Sequence, residues 1–431
     1  MKVCCVYGGC TLMARSALKT TNLSFWLLMI AAQVGGFFLF KDLADISQWL
    51  VQSSREFTMF IWYNRWLIAI STLLALFGSI LIWFNNRNIV PRGLLIALVL
   101  FCLFNWYSGM LNTLLMFRPQ QFEGQAMFVS VDEAPKFLQQ MKHAAYEKPE
   151  FDSVDEIEML VLENDNGARA YADYYLLQPH IVDGGEIGGK PVVMTYCGLT
   201  NMGIAYTPEL KGQPLELKVM TQLRNNLVMW DMNSGEPIQQ FWGAAETDGE
   251  QGVRMTEWPT LRMPFSAFKQ LYPDGQVFIN NIEQQSDNAL VRMFDTVVRD
   301  GMMLLAVKTL QWQSDEPAFP TIKEFDDRLP VKKMVYGINV GDDYVAYTKD
   351  FVIDQGGLLN VDIGRRKIIL YYAARYDSLV AFYNDSDQSI TQIDIFGSSN
   401  AGQMARVETL KSRIFWFIWR DFYRKTDVNR I

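Results

Sequence analysis

At 431 residues the chain is too long for one ordinary domain, and 50% hydrophobic with 13% aromatic residues is rich for a wholly soluble protein. A net charge of -8, with no basic stripe, argues against a nucleic-acid partner. Five cysteines spread over this length do not make a disulfide scaffold.

The apolar excess lies in three uncharged runs near the start: "SFWLLMIAAQVGGFFLF" from Ser24 to Phe40, "WLIAISTLLALFGSILIWF" from Trp66 to Phe84, and "LLIALVLFCLFNWYSGMLNTLLMF" from Leu94 to Phe117. A helix needs roughly 20 residues to cross a hydrocarbon layer, with about 17 as the short limit. All three are long enough, and no small-residue cleavage site follows "FFLFKDLADI", so the first reads as an anchor rather than a signal peptide. Trp26, Trp62, Trp66, Trp83 and Trp106 lie near the ends of the runs or inside them, where indole rings often sit at the lipid interface. Lys2, Arg15 and Lys19 before the first run, and Arg87 and Arg92 in the tight second loop, stand without acidic neighbours. The loop between them mixes Lys41 and Arg55 with Asp42, Asp45 and Glu56. The basic-residue rule then predicts a cytoplasmic tail over 1–23, an anchor over 24–117, and everything later on the periplasmic face of a bacterial inner membrane. The bilayer is the first partner expected.

Beyond Arg118 the fold class expected is α+β, strand-dominated: "IEMLVL", "PVVMTY", "NLVMW", "QVFI", "LLAVKTLQW", "KIILYY" and "SLVAFY" alternate with Gly, Asp and Asn clusters. Helical patterning is local, in Val131 to Tyr146, in "FSAFKQLY" and in "DNALVRMFDTVVRD". A gapless offset of about 176 residues lays Ala170 to Tyr206 on Ala346 to Phe382, with Tyr171 on Tyr347, Gly188 on Gly364 and Tyr196 on Tyr372. The expected body is therefore a helical connector over 118–159, a first lobe over 160–330 and a degenerate second lobe over 331–431, with Phe265 to Pro273 and Phe415 to Arg424 as later counterparts.

"GGKPVVMTYCGLTNMGIAY", then "NNLVMWDMNSGEPIQQFWG", then "LYPDGQVF" resembles, in that order, the motifs of the domain-of-unknown-function 3179 family, and "FWFIWRDFYRKTDV" is similar to that family's closing segment. Gly198 stands where proline is usual, and the tryptophan before Gln240 is missing. The resemblance supplies no reaction. It implies attention to the Tyr-Cys position, Tyr196 and Cys197, where some members carry selenocysteine.

Cys4, Cys5 and Cys10 fall in the tail and Cys102 in the third run, so Cys197 is the one exported thiol. The chain has two histidines, His143 and His180. A hairpin centred on Gly188 and Gly189 with unbroken register places His180 opposite Cys197, where imidazole and thiol share a proton and the thiol pKa falls. His180 and Cys197 land on Gly356 and Ala373 in the second lobe, so both are lost together. No phosphate loop, CxxC, HExxH or Gly-x-Ser-x-Gly is present. Two readings follow. One is a membrane-tethered thiol oxidoreductase or redox sensor with Cys197 reacting, His180 tuning it, Tyr196, Asn201, Asn226 and Gln240 lining the pocket, and a small thiol or envelope protein as partner. The other is a non-catalytic periplasmic binding or scaffold module, or a copper site built from Cys197, His180 and Met194 or Met202. No resident cofactor is specified by the sequence.

Overall fold

The computed structural model describes residues 8–44, 47–48, 53–116, 126–141, 153–164, 166–176, 180–280, 314–386 and 388–431. The chain divides into two compact units, Met1–Phe117 and Arg118–Ile431.

In the first unit, helices α1 (Gly8–Leu43), α2 (Arg55–Tyr63), α3 (Arg65–Asn85) and α4 (Arg92–Met116) follow one another. Three stretches are long and apolar enough to cross a membrane: Thr20–Leu43, Arg65–Asn85 and Arg92–Leu114. Their large side chains point outward, Leu27, Leu67, Leu74, Phe77 and Leu100 among them, which suits a surround of lipid tails. Small residues bring the backbones together. A Cβ on Gly109 would sit 2.4 Å from the Leu39 carbonyl carbon, so α1 and α4 touch only because that position is glycine. The short α2 lies where the sequence reads as a mixed-charge loop. Ser54 caps it by accepting from the Phe57 amide, and Met59, Ile61 and Trp62 are buried.

Among the described residues, five sheets of three or more strands and two two-stranded ones, Glu209–Leu210 with Gln213–Pro214 and Ser398–Ser399 with Gly402–Gln403, build the second unit. The first runs in the order Ala126–Ser130, Gln276–Asn280, Gly167–Ala172, Glu158–Asn164, Leu261–Pro264. Ala126–Ser130 was expected in a helical connector; it is instead an edge strand, paired antiparallel with Gln276–Asn280. The helix Ala134–Met141 lies within the predicted Val131 to Tyr146, and residues 142–146 lie outside the described set. So do "DNALVRMFDTVVRD" and "LLAVKTLQW". The second sheet is Glu257–Trp258, Met202–Tyr206, Lys190–Cys197, Ile181–Ile187, and the third is Ala244–Ala245, Pro237–Gln239, Asn226–Asp231, Leu217–Leu223. The fourth is Lys411–Phe415, Met334–Val340, Asp343–Tyr347, Asp427–Val428; the fifth is Leu358–Ile363, Arg366–Ala373, Ser378–Tyr383.

The chain over 158–206 and the chain over 334–383 share a pairing pattern, the second with an added turn at Ala374–Tyr376. Glu158–Asn164 and Gly167–Ala172 form an antiparallel hairpin, as do Met334–Val340 and Asp343–Tyr347. Each hairpin has an antiparallel neighbour on one side, Leu261–Pro264 or Lys411–Phe415, and a parallel one on the other, Gln276–Asn280 or Asp427–Val428. Short helices Asp173–Leu176 and Lys349–Asp354 follow, then the three-strand meanders of the second and fifth sheets. Phe265–Leu271 and Trp416–Phe422 are the later helices, and the residues of "FWFIW" are buried.

The two halves lie within one compact unit and share their cores. One core joins Leu160, Tyr196 and Met263 to Ile369, Val380 and Phe382. Another joins Cys197, Ile204 and Phe241 to Val335, Ile414 and Trp419. The Phe415 amide donates to the Thr200 carbonyl at 3.1 Å, stitching the chain's end to the turn after Cys197. Apolar faces that are continuous across both halves cannot be separated without exposing both.

Candidate functional site

The hairpin turn is where the sequence places it. Ile187 pairs with Lys190 around Gly188 and Gly189, whose φ values of 58° and 75° fit the two-residue turn that twists with its strands. The register beyond it differs from the expected one. Asp183 pairs with Val193 but Glu186 with Pro191, so Gly184 and Gly185 together oppose Val192 in a bulge. Gly185 takes φ 60°, and its amide donates to Asp183 Oδ1 at 2.9 Å. The extra residue moves His180 opposite Tyr196: the Tyr196 amide donates to the His180 carbonyl at 2.8 Å. His180 Nδ1 lies 3.2 Å from the Tyr196 carbonyl. A one-residue shift sends a strand's side chains to the other face. The His180–Cys197 opposition is thereby lost. Of the two methionines considered, Met202 is directly opposite Cys197, whereas Met194 packs in the first core and Cys197 in the second.

Cys197 ends its strand and is 4% exposed. Its Sγ lies 3.9 Å from the Asn225 carbonyl oxygen. A tight turn follows, in which the Thr200 amide and hydroxyl donate to the Cys197 carbonyl at 3.2 and 3.0 Å. Burial pushes the thiol pKa up, the reverse of the expected depression. Pulling the other way, less strongly, are the polar groups of Thr200 and the main chain at Leu199 and Leu227. Burial also drives the His180 ring down to about 4, against the hydrogen bond to Tyr196.

The residues expected to line a pocket are all buried and bonded inside the body. Asn226 Nδ2 donates to Gln240 Oε1 at 3.3 Å, and Gln240 Nε2 donates to Thr195 Oγ1 at 3.0 Å. Tyr196 OH donates to Asn201 Oδ1 at 3.3 Å, and Asn201 Nδ2 donates to the Arg413 carbonyl at 2.8 Å. Burial first, then the Asp173 carboxylate, raises the Tyr196 phenol, so it stays protonated and donating.

Sequence reasoning missed the charged layer beneath. Arg262, fully buried, donates to Asp173 Oδ2 at 2.8 Å, to the Asn201 carbonyl at 2.9 Å, to the Ser412 carbonyl at 3.1 Å, and to Glu158. Arg413 reaches the other Glu158 oxygen. Burial works against the Arg262 charge, but Asp173 and Glu158 more than offset it and raise its pKa. Backbone strain gathers here too. Of eight non-glycine residues with positive φ among the described residues, four touch the Tyr196–Asn201 segment or belong to it: His180, Asn201, Asn225 and Arg413. Such conformations persist where surrounding structure fixes them, and they cluster at functional sites.

A unit with three helices long and apolar enough to cross a membrane, followed by a strand-rich body with this strained, buried Tyr-Cys segment, is the class of protein defined so far. A family model described as "Protein of unknown function (DUF3179)" matches residues 133–426, and the chain belongs to that family. No curated protein matches it. No solved structure matches it.

Proposed function

We propose that this is a membrane-tethered exported protein with a cysteine-dependent redox site at Cys197, a thiol oxidoreductase or redox sensor occluded in this conformation. The observation that carries the reading is the setting of the Cys197 sulfur, at the end of its strand and against a tight turn whose Thr200 amide and hydroxyl donate to the Cys197 carbonyl, with the Asn225 carbonyl oxygen 3.9 Å from Sγ. The polar groups of that turn lower the thiol pKa, while burial outweighs them and the Asn225 carbonyl takes the thiol proton as a hydrogen bond. Once water reaches the sulfur, the burial penalty falls and the polar groups of the turn remain. His180 acts on the Tyr196 backbone rather than on the thiol.

A peroxide is the oxidant class such a site takes. The thiolate attacks one peroxide oxygen, the O–O bond breaks, and the departing oxygen takes a proton, leaving sulfenic acid. A small thiol then forms an S–S bond as the S–O bond breaks and water departs. Cys197 is the one cysteine after residue 117, so no internal partner resolves it. Purified full-length chain treated with hydrogen peroxide and dimedone should carry the adduct on the Cys197 peptide, and Thr200→Val should lower its yield several-fold. If Cys197 stays unmodified even in urea just below the unfolding midpoint, the redox reading fails. The non-catalytic binding or scaffold module, favoured by the burial of Cys197, then replaces it.

The body is read as a propeller-like array of five sheets arising from an internal duplication, supported by the matched pairing patterns. Its placement in the periplasm of a bacterial inner membrane rests on the basic tail and second loop. A reporter active only outside the cytoplasm, fused after Gln121, should be active. Silence there, with activity after Arg87, reverses the orientation.

A further inference from the structure

Asn225 is joined to Cys197 through its backbone and to a distant segment through its side chain. Leu217–Leu223 and Asn226–Asp231 pair through Leu223 and Asn226, leaving Arg224 and Asn225 as a two-residue turn with φ 54° and 57°. The Asn225 carbonyl faces Cys197 Sγ. Its carboxamide clasps residues 319–321: Nδ2 donates to the Phe319 carbonyl at 2.9 Å and to Thr321 Oγ1 at 2.8 Å, and Oδ1 accepts from the Phe319 amide at 3.0 Å.

The clasped segment joins no sheet and no helix. It runs between two anchors. Lys332 Nζ holds the Ser314 carbonyl at 2.7 Å, and Asp326 is held by Arg328, Arg420 and the Trp416 indole. Between them, Ala318, Phe319, Thr321 and Ile322 are buried, Ile322 in the same core as Cys197 and Leu227. Lys323, Glu324 and Phe325 are exposed. The exposed Arg424–Glu324 pair at 3.4 Å adds little. The Asn225 turn itself is fixed, because Arg224 Nη2 lies 2.5 Å from Asp421 Oδ2.

We propose that residues 315–325 are a strap closed over Cys197 and that the Asn225 carboxamide is its latch. A segment outside every sheet and helix, clasped at Phe319 and Thr321 by one side chain from a hairpin tip, belongs to the elements that open locally while the sheets stay intact. Opening lifts Ile322 and the Phe319–Thr321 chain from the hairpin tip and admits solvent to the sulfur. As a gate on a reactive thiol, the strap rests on the redox reading; as a moving element it stands apart from it.

The test uses the full chain in lipid nanodiscs, with iodoacetamide labelling of the Cys197 peptide and amide hydrogen exchange both read by mass spectrometry. Asn225→Gly keeps the positive φ and removes all three clasp bonds. It should speed Cys197 labelling at least tenfold and raise exchange in residues 315–325, while Lys190–Cys197 and Asn226–Asp231 stay protected. Thr321→Val, which removes one bond, should give a smaller change in the same direction and is the variant to read if Asn225→Gly loosens the whole body. A strap that exchanges freely while Cys197 labels at the wild-type rate overturns the proposal, as does unchanged exchange and labelling in both variants. Faster labelling without any peroxide-dependent dimedone adduct sinks the redox reading and leaves the gate standing.

Discussion

At the scale of single residues, the Tyr-Cys segment is defined by what burial does to each group. Neutral His180 holds the Tyr196 backbone from a strained φ of 68°, and burial takes its pKa to about 4. An unfolded histidine protonates near 6.5. Between those values the unfolded chain binds more protons, so stability present above pH 6.5 is lost as pH falls, fully so below about 4. His180→Asn tolerates the positive φ and cannot titrate. Its urea midpoint should fall less than that of the wild type between pH 7 and pH 5, and an equal fall in both would refute this role. Arg262 is the opposite case, a charge kept buried by two carboxylates and two carbonyls. Replacing it with methionine fills the volume but leaves Glu158 and Asp173 short of their partner. Breaking a buried pair this way costs about 3–5 kcal/mol, to be read from denaturant unfolding. A loss under about 1 kcal/mol, the size of a surface pair, would mean that the network is solvated.

At the scale of elements, "DGGEIGGK" shows what a sequence can and cannot disclose. It offers two glycine pairs, and strand propensity on both sides fits a turn at either. The second pair is the turn and the first is the bulge, a distinction that depends on the facing strand rather than on local composition. The strand positions, the turn and the short helix after Pro264 were legible because apolar alternation and glycine clusters act over a few residues. The short α2 was not, since its four buried residues are interleaved with exposed ones in a charged loop. Arg262 was hidden for another reason: its partners lie 104, 89 and 150 residues away, and nothing near it in the chain marks it as buried. Thr200 and Asn225 do carry local signals, the three-residue spacing after Cys197 and the Arg-Asn pair at a hairpin tip. Gly185 makes the bulge's positive φ inexpensive, so Gly185→Val should destabilise by roughly 1–3 kcal/mol, although nothing within 4 Å obstructs its side chain. A chain as stable as the wild type in urea would show that the strand realigns without the bulge.

At the scale of the whole body, the repeated pattern and the shared cores pull expectation in different directions. Two halves with the same pairing scheme suggest two units that fold separately, yet their apolar faces are merged. The segment from Lys411 to Trp419 decides between them. Lys411 is buried against Glu257 from the first half, with 3.1 Å between Nζ and carboxylate; burial lowers its pKa and Glu257 opposes that. Ser412 accepts from Arg262, Arg413 meets Glu158, and Phe415 donates to Thr200, while the same strand is laddered to Met334–Val340 in the second half. One strand therefore completes the polar layer of the first half and the sheet of the second. Shared burial of this kind makes the unfolding of both halves a single event. Urea unfolding of the body, followed by tryptophan fluorescence and by far-ultraviolet circular dichroism, should give coincident midpoints. Ending the chain at Leu410 should abolish protection against hydrogen exchange in Glu158–Asn164 and Lys190–Cys197 as well as in Met334–Val340. If that truncated chain keeps a protected first half, or if the full body melts in two separated steps, the halves are autonomous, and the strand Lys411–Phe415 is an attachment rather than the closing element of one body.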